Sequence, residues 1–166
     1  MSSFLAALAL FGALLPATTR TAEATYICDA PDVLIDEQEA LLLQLVNNYR
    51  WTHGLQPLSL SGSLISSAGW MAGDLGWRNY FAHTDVFGRN VGVRQNDCGN
   101  WGAWKGENIA AGTNADNAAA VMSMWQNSPG HNAELLNPNY RYAGVSRFYN
   151  PASTYGWYWV IDLSSD

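Results

Sequence analysis

Charge is scarce in this chain: Asp, Glu, Lys and Arg make up 13% of its 166 residues, against about 25% in ordinary soluble proteins. The eight Lys and Arg residues never cluster, and the net charge is −6. A nucleic-acid-binding face needs a basic stripe to neutralise phosphates, so nucleic acid is excluded as a partner. Cysteine is limited to Cys28 and Cys98, and two residues so far apart cannot supply a cysteine-type metal site. Several catalytic signatures are missing too. There is no Gly-x-Ser-x-Gly turn, no His-Glu-x-x-His helix and no glycine-rich loop leading into a lysine, which removes the usual serine-hydrolase, zinc-protease and nucleotide-binding templates. Ser128 stands three residues from His131 across Pro129, a poor start for a Ser-His pair.

Aromatic residues take up the space that charge leaves, with eight Trp, eight Tyr and five Phe. Such a chain can fill a core and is not disordered; its length suits one domain. The apolar run Phe4–Leu15 is too short to span a bilayer, and Ala22-Glu23-Ala24 follows it with small residues at both positions read by a signal peptidase. Residues 1–24 are therefore expected to be an export signal cut before Thr25, leaving a mature chain with no membrane span. Export suits the even cysteine pair, because disulfides persist in oxidising compartments. A Cys28–Cys98 bridge would close a loop of about 70 residues, worth on the order of 3–4 kcal/mol in the chain-entropy model, and would tie an N-terminal arm at 25–34 to the domain at 35–166.

Periodicity gives helices first and strands last. Asp36 with Glu39 makes a capping box, Leu42, Leu45, Val46 and Tyr49 recur at helical spacing, and His53-Gly54 closes the first helix, His53 serving as a last-turn partner of the helix dipole. A second helix is expected from about Leu60 to Asn79. Its Gly69, Gly73 and Gly76 weaken it and admit a close neighbour. A short helix near Arg89–Gln95, a buried strand at Gly106–Gly112, a third helix at Asn114–Asn127 stopped by Ser128-Pro129, and one or two helical turns at His131–Leu136 follow. Tyr140–Tyr149 and Tyr155–Leu163 read as a hairpin; in the second strand Trp157, Trp159, Ile161 and Leu163 share one face and Tyr158, Val160 and Asp162 the other. The pattern is α+β.

Three short motifs carry the titratable groups: Phe81-Ala82-His83, Gly106-Glu107-Asn108 and Ser128-Pro129-Gly130-His131. Two of the chain's three histidines sit in them. Imidazole binds metals and moves protons near neutral pH, and Glu107 could orient a ring or accept a proton. Spacing leaves two readings open: a site, or three groups that satisfy one another and pin the elements together.

Taken in order, Leu45-Val46-Asn47-Asn48-Tyr49-Arg50, His53-Gly54-Leu55, Pro57-Leu58, the three motifs above with Trp125, and Tyr142-Ala143-Gly144-Val145 resemble the CAP superfamily of cysteine-rich secretory proteins, antigen 5 and pathogenesis-related 1, in its short bacterial branch. The resemblance covers about residues 35–163. It implies an α-β-α sandwich with a central antiparallel sheet and an open cavity holding two histidines and two glutamates. His83, Glu107 and His131 match three of these; after Trp125, where the second glutamate is expected, stand Gln126-Asn127-Ser128.

Three functions follow from that expectation. The leading one is a secreted binding module whose cavity takes Zn²⁺ or another divalent cation, through His83 and His131, and an extracellular ligand such as a lipid, sterol or peptide. The second is a metal-assisted hydrolase with Glu107 as general base. The third is an extracellular interaction module in which the cavity is only structural. Phe81, Trp104 and Trp125, near the motifs, are either cavity wall or core, and are assigned to the core in preference.

Overall fold

The structure, a computed structural model, describes Cys28 and residues 34–166. The expected export signal at 1–24 and, apart from Cys28, residues 25–33 of the arm lie outside the described residues. Helix α1 (Glu37–Thr52) begins as the sequence indicates: Asp36 accepts from the backbone of Gln38 and Glu39, and Glu39 returns a bond to the Asp36 backbone. Glu39 is buried, because its other oxygen accepts from the Arg147 backbone N–H at 2.7 Å. The capping box thus fastens α1 to a strand 108 residues away. At the far end the His53 ring nitrogen Nδ1 lies 2.8 Å from the Tyr49 carbonyl, in the last-turn role expected of it.

A two-residue strand β1 (Ser59–Leu60) precedes α2 (Gly62–Arg78). Next come α3 (Val91–Asp97), β2 (Lys105–Gly112), α4 (Ala118–Gln126), α5 (Pro129–Leu135), β3 (Tyr142–Tyr149) and β4 (Trp157–Ser164). Helix α4 is shorter at its start than expected. Asn117 caps it by accepting from the Ala120 N–H at 3.0 Å, and an Asn side chain competes well as a cap and poorly inside a helix. The sheet order is β1-β3-β4-β2. Strands β2, β4 and β3 are antiparallel, whereas β1 joins β3 in parallel, so the sheet is antiparallel except at one edge.

Helices cover both faces, which makes the α-β-α sandwich. On one face Leu42 and Val46 of α1 and Val121 and Trp125 of α4 pack on Trp159, Ile161 and Leu163. On the other, Ala68, Met71, Ala72 and Leu75 of α2 pack on Ile109, Tyr158 and Val160. The alternation of β4 therefore feeds two separate cores. The buried indoles are satisfied: Trp125 Nε1 donates to the Ile109 carbonyl and Trp159 Nε1 to that of Ala115.

Two glycines decide how closely α2 approaches the sheet. A Cβ at Gly144 would collide with the backbone of Leu64 and Ile65, and one at Gly76 with the Phe148 ring. Gly73, by contrast, faces open space, so close packing does not explain it. Cys28 is bridged to Cys98 at the end of α3, with Cα atoms 5.1 Å apart. Among the described residues no helix is long and apolar enough to cross a membrane.

Candidate functional site

Strand β2 is an edge of the sheet, and the site forms where both helical layers reach that edge. Glu107 and Asn108 are neighbours on β2, so their side chains leave opposite faces. Glu107 meets the loop that follows α2, and Asn108 meets α5, donating from Nδ2 to the His131 carbonyl at 3.0 Å. The structure thereby brings His83, Glu107 and His131 together from three elements. They line a cavity of about 270 Å³ with Asn108, Ser128, Gly130 and Glu134.

His83 owes its place to the loop between α2 and α3. Helix α2 ends at Asn79 in a left-handed conformation. Asp74 then accepts from Tyr80 Oη and from the Val86 N–H, and Asp85 accepts from the N–H groups of Phe87 and Arg89. These bonds fold residues 80–90 into a fixed turn. Its keystone is Arg94 of α3, which is fully buried. One guanidinium nitrogen donates to the carbonyls of His83 and Arg89 at 3.1 and 2.8 Å, and the other pairs with Glu107 Oε2. A single cation thus holds both the His83 backbone and the carboxylate that the ring meets.

His131 depends on the seating of α5. Pro129 starts that helix, Tyr49 Oη donates to Asn132 Oδ1 at 2.9 Å, and the buried Arg50 donates to the carbonyls of Leu135, Asn137 and Tyr140.

Nδ1 of His83 lies 2.8 Å from Glu107 Oε1. Its imidazole is 56% exposed, while the carboxylate is 1% exposed. The bond to Glu107 raises the His83 pKa above its ordinary value, with burial working against it. His131 goes the other way: burial first, then the neighbouring His83, lower its pKa. The two ring centres stand 6.5 Å apart. One ring is thus disposed to carry a proton and the other to stay neutral, which is how paired titratable groups divide into donor and acceptor.

For a divalent cation the donor chemistry is suitable but sparse. Metal–nitrogen bonds of about 2.0–2.1 Å would bring the ring centres of two bridged imidazoles to roughly 5–6 Å. An approach of about 1 Å therefore suffices, and the half-exposed His83 ring can supply it. Glu107 accepts from His83 Nδ1 and leaves Nε2 for a ligand, the usual carboxylate–imidazole arrangement around metals. Among the described residues, however, no three His, Cys, Asp or Glu side chains converge closely enough to hold an ion. His83 and His131 are the side chains that would hold such an ion.

The sequence missed Glu134, Arg94 and Asp162. Glu134 lines the cavity one helical turn beyond His131, and its carboxylate accepts from Tyr140 Oη at 2.5 Å. A carboxylate is thus present, though not at the place after Trp125 where the second glutamate was expected. The i, i+3 spacing with His131 was the signal that could have found it. Of the three aromatics assigned to the core only Trp125 is there; Phe81 and Trp104 are 43% and 53% exposed. Larger hollows lie elsewhere, of about 370 Å³ between α1 and α4 and about 510 Å³ over the outer side of α2, but neither contains a histidine.

Residues 43–163 match the model of the CAP, or cysteine-rich secretory protein, family. The chain belongs to that family. Among its relatives is YkwD of Bacillus subtilis strain 168, described as uncharacterized, which is 32% identical over 132 residues covering 75% of this chain. The alignment spans 48% of YkwD, so the chain matches about half of that relative. An extracellular protein of Bacillus anthracis containing an SCP domain superposes with a TM-score of 0.68 at 25% identity, over 78% of this CAP chain and 40% of its own. An outer surface protein of Borrelia burgdorferi gives 0.69 at 23% identity, over 78% and 95% of the two chains, and shows the shared fold.

Proposed function

We propose that this CAP domain is an exported binding module, and that its cavity takes a divalent cation on His83 and His131 together with a small extracellular ligand. The observation that carries the reading is the orientation of the His83 ring: its Nδ1 lies 2.8 Å from Glu107, which leaves Nε2 for a ligand, and the His131 ring is its neighbour. Export is supported by the Cys28–Cys98 bridge and by the extracellular or outer-surface character named for the proteins it resembles. The hydrolase alternative has less behind it. Glu107 is buried and accepts from His83 on one oxygen and Arg94 on the other, an arrangement that favours orienting a ring over activating water.

Zinc titration by calorimetry tests the reading. Wild-type protein should bind, and His83→Ala and His131→Ala should each weaken binding at least about tenfold, since a two-histidine site has no ligand to spare. Affinity should fall as pH drops, because both rings must be neutral to ligate and the proton held on His83 by Glu107 has to leave. Binding unaffected by either substitution, or by pH between about 5 and 8, would remove the cation from the account.

A further inference from the structure

Asp162 lies in β4 directly opposite Glu107 of β2, so the two carboxyl groups leave the sheet on the same face. It is fully buried, and neither of its oxygens has a hydrogen-bond partner among the described residues. Ser67 Oγ from α2 and Nε of Arg94 from α3, also buried, are likewise without one. Glu107 is in a different position, since His83 donates to Oε1 and Arg94 to Oε2.

This asymmetry between two adjacent carboxyl groups determines which of them carries the charge. A buried carboxylate survives by accepting several hydrogen bonds or by pairing with a cation. Asp162 does neither: Nη1 and Nη2 of Arg94 serve His83, Arg89 and Glu107, and its Nε, though free, makes no bond to Asp162. Two ionised carboxylates here would share that one buried cation. A carboxylic acid, in contrast, needs only an acceptor for its O–H. Glu107 has capacity left, since a carboxylate offers about four lone-pair sites and two of its donors are accounted for. The groups facing Asp162 are Ser67 from α2, Arg94 from α3 and Glu107 from β2, with His83 beyond Glu107. Burial first, and the Glu107 charge second, push the Asp162 carboxyl well above the ordinary aspartate range, against the opposing pulls of Arg94 and the Ser67 hydroxyl.

We propose that Asp162 is a neutral carboxylic acid at physiological pH and a positioning residue for the cavity, its hydroxyl donating to Glu107 and holding that carboxylate on His83 Nδ1. The positioning role rests on the reading of Glu107 as the group that orients the His83 ring. The protonation of Asp162 requires no cation or ligand, so a failed zinc titration would leave it standing.

NMR of the intact protein tests both parts. With aspartate carboxyl carbons labelled, the Asp162 signal should stay at its protonated position from about pH 4 to about pH 7 while exposed aspartates titrate near 4. An Asp162 signal that titrates with the others would overturn the proposal. Asp162→Asn keeps a neutral side chain with a donor, so the His83 pKa should move by less than about 0.3 unit. A drop of about one unit or more would mean that a negative charge had been removed, and would refute the neutral acid. Asp162→Ala removes the donor. Solvent exchange of the His83 Nδ1 proton should then rise at least about tenfold, and should not rise in Asp162→Asn. Equal exchange in the alanine and asparagine variants would refute the positioning role. If the alanine variant does not fold, the wild-type titration and the asparagine variant still decide between an acid and a carboxylate.

Discussion

Replacing Arg94 by methionine keeps most of the side chain's length and removes its charge, which isolates what the guanidinium does. Arg94 and the Glu107 carboxylate are 0% and 1% exposed, so water cannot take over their interaction. Breaking a buried pair from one side costs about 3–5 kcal/mol, because it strands the other charge. The substitution also frees the carbonyls of His83 and Arg89, but these lie in a loop that can turn toward solvent. A loss of about 4 kcal/mol is therefore expected, which lowers Tm by roughly 8–16 °C for a chain of this length. The double variant Arg94→Met/Glu107→Leu removes the stranded charge and should recover at least about 2 kcal/mol of that loss. Urea unfolding followed by circular dichroism measures both, with an unchanged m-value as the check that the unfolded state is comparable. A single variant within about 1 kcal/mol of wild type, or a double variant no better than the single one, would show that Arg94 does not hold the site as described.

Other consequences can be checked in the same unfolding assay. The His83 pKa is raised on folding, so its stabilising contribution is complete below about pH 6.5 and is lost as pH rises through the folded value. His131 is lowered, so its contribution is complete above about 6.5 and is lost as pH falls through its folded value. The pair should together give a stability maximum near pH 6.5, and His83→Ala should abolish the decline on the alkaline side. Replacing Cys28 and Cys98 by alanine should cost on the order of 4 kcal/mol, since the bridge spans 70 residues. Gly73→Ala should stabilise α2 by up to about 1 kcal/mol, because it meets open space and improves helix propensity. Gly144→Ala should instead cost about 1–3 kcal/mol or more, because it presses on the α2 backbone.

What the sequence made legible were features written in short stretches of chain. Asp36 and Glu39 announce a helix start on their own, and the alternation from Trp157 to Leu163 announces a strand. His83, Glu107 and His131 stood out because histidine is rare here and each sits in a small motif. Their meeting at one sheet edge depends on tertiary packing, and the ordered resemblance of the motifs, rather than spacing, foretold it. The β1 strand escaped notice because two residues carry no period, and its partner lies more than 80 positions later. Arg94 escaped because nothing local distinguishes a buried arginine from a surface one; it is placed by acceptors from the loop at 80–90 and from β2. Asp162 left a trace that was readable, an acid on a strand face otherwise made of Tyr158 and Val160.

His83 rides on the layer formed by α2 and α3, and His131 on the layer formed by α4 and α5, with the sheet between their cores. The gap between the two rings is therefore a gauge of how the layers sit relative to one another at the β2 edge. Anything that spans it acts as a staple between two halves otherwise clamped through the strands. Amide exchange in α3 and α5 should slow together when the gap is bridged, although neither helix belongs to the other's core.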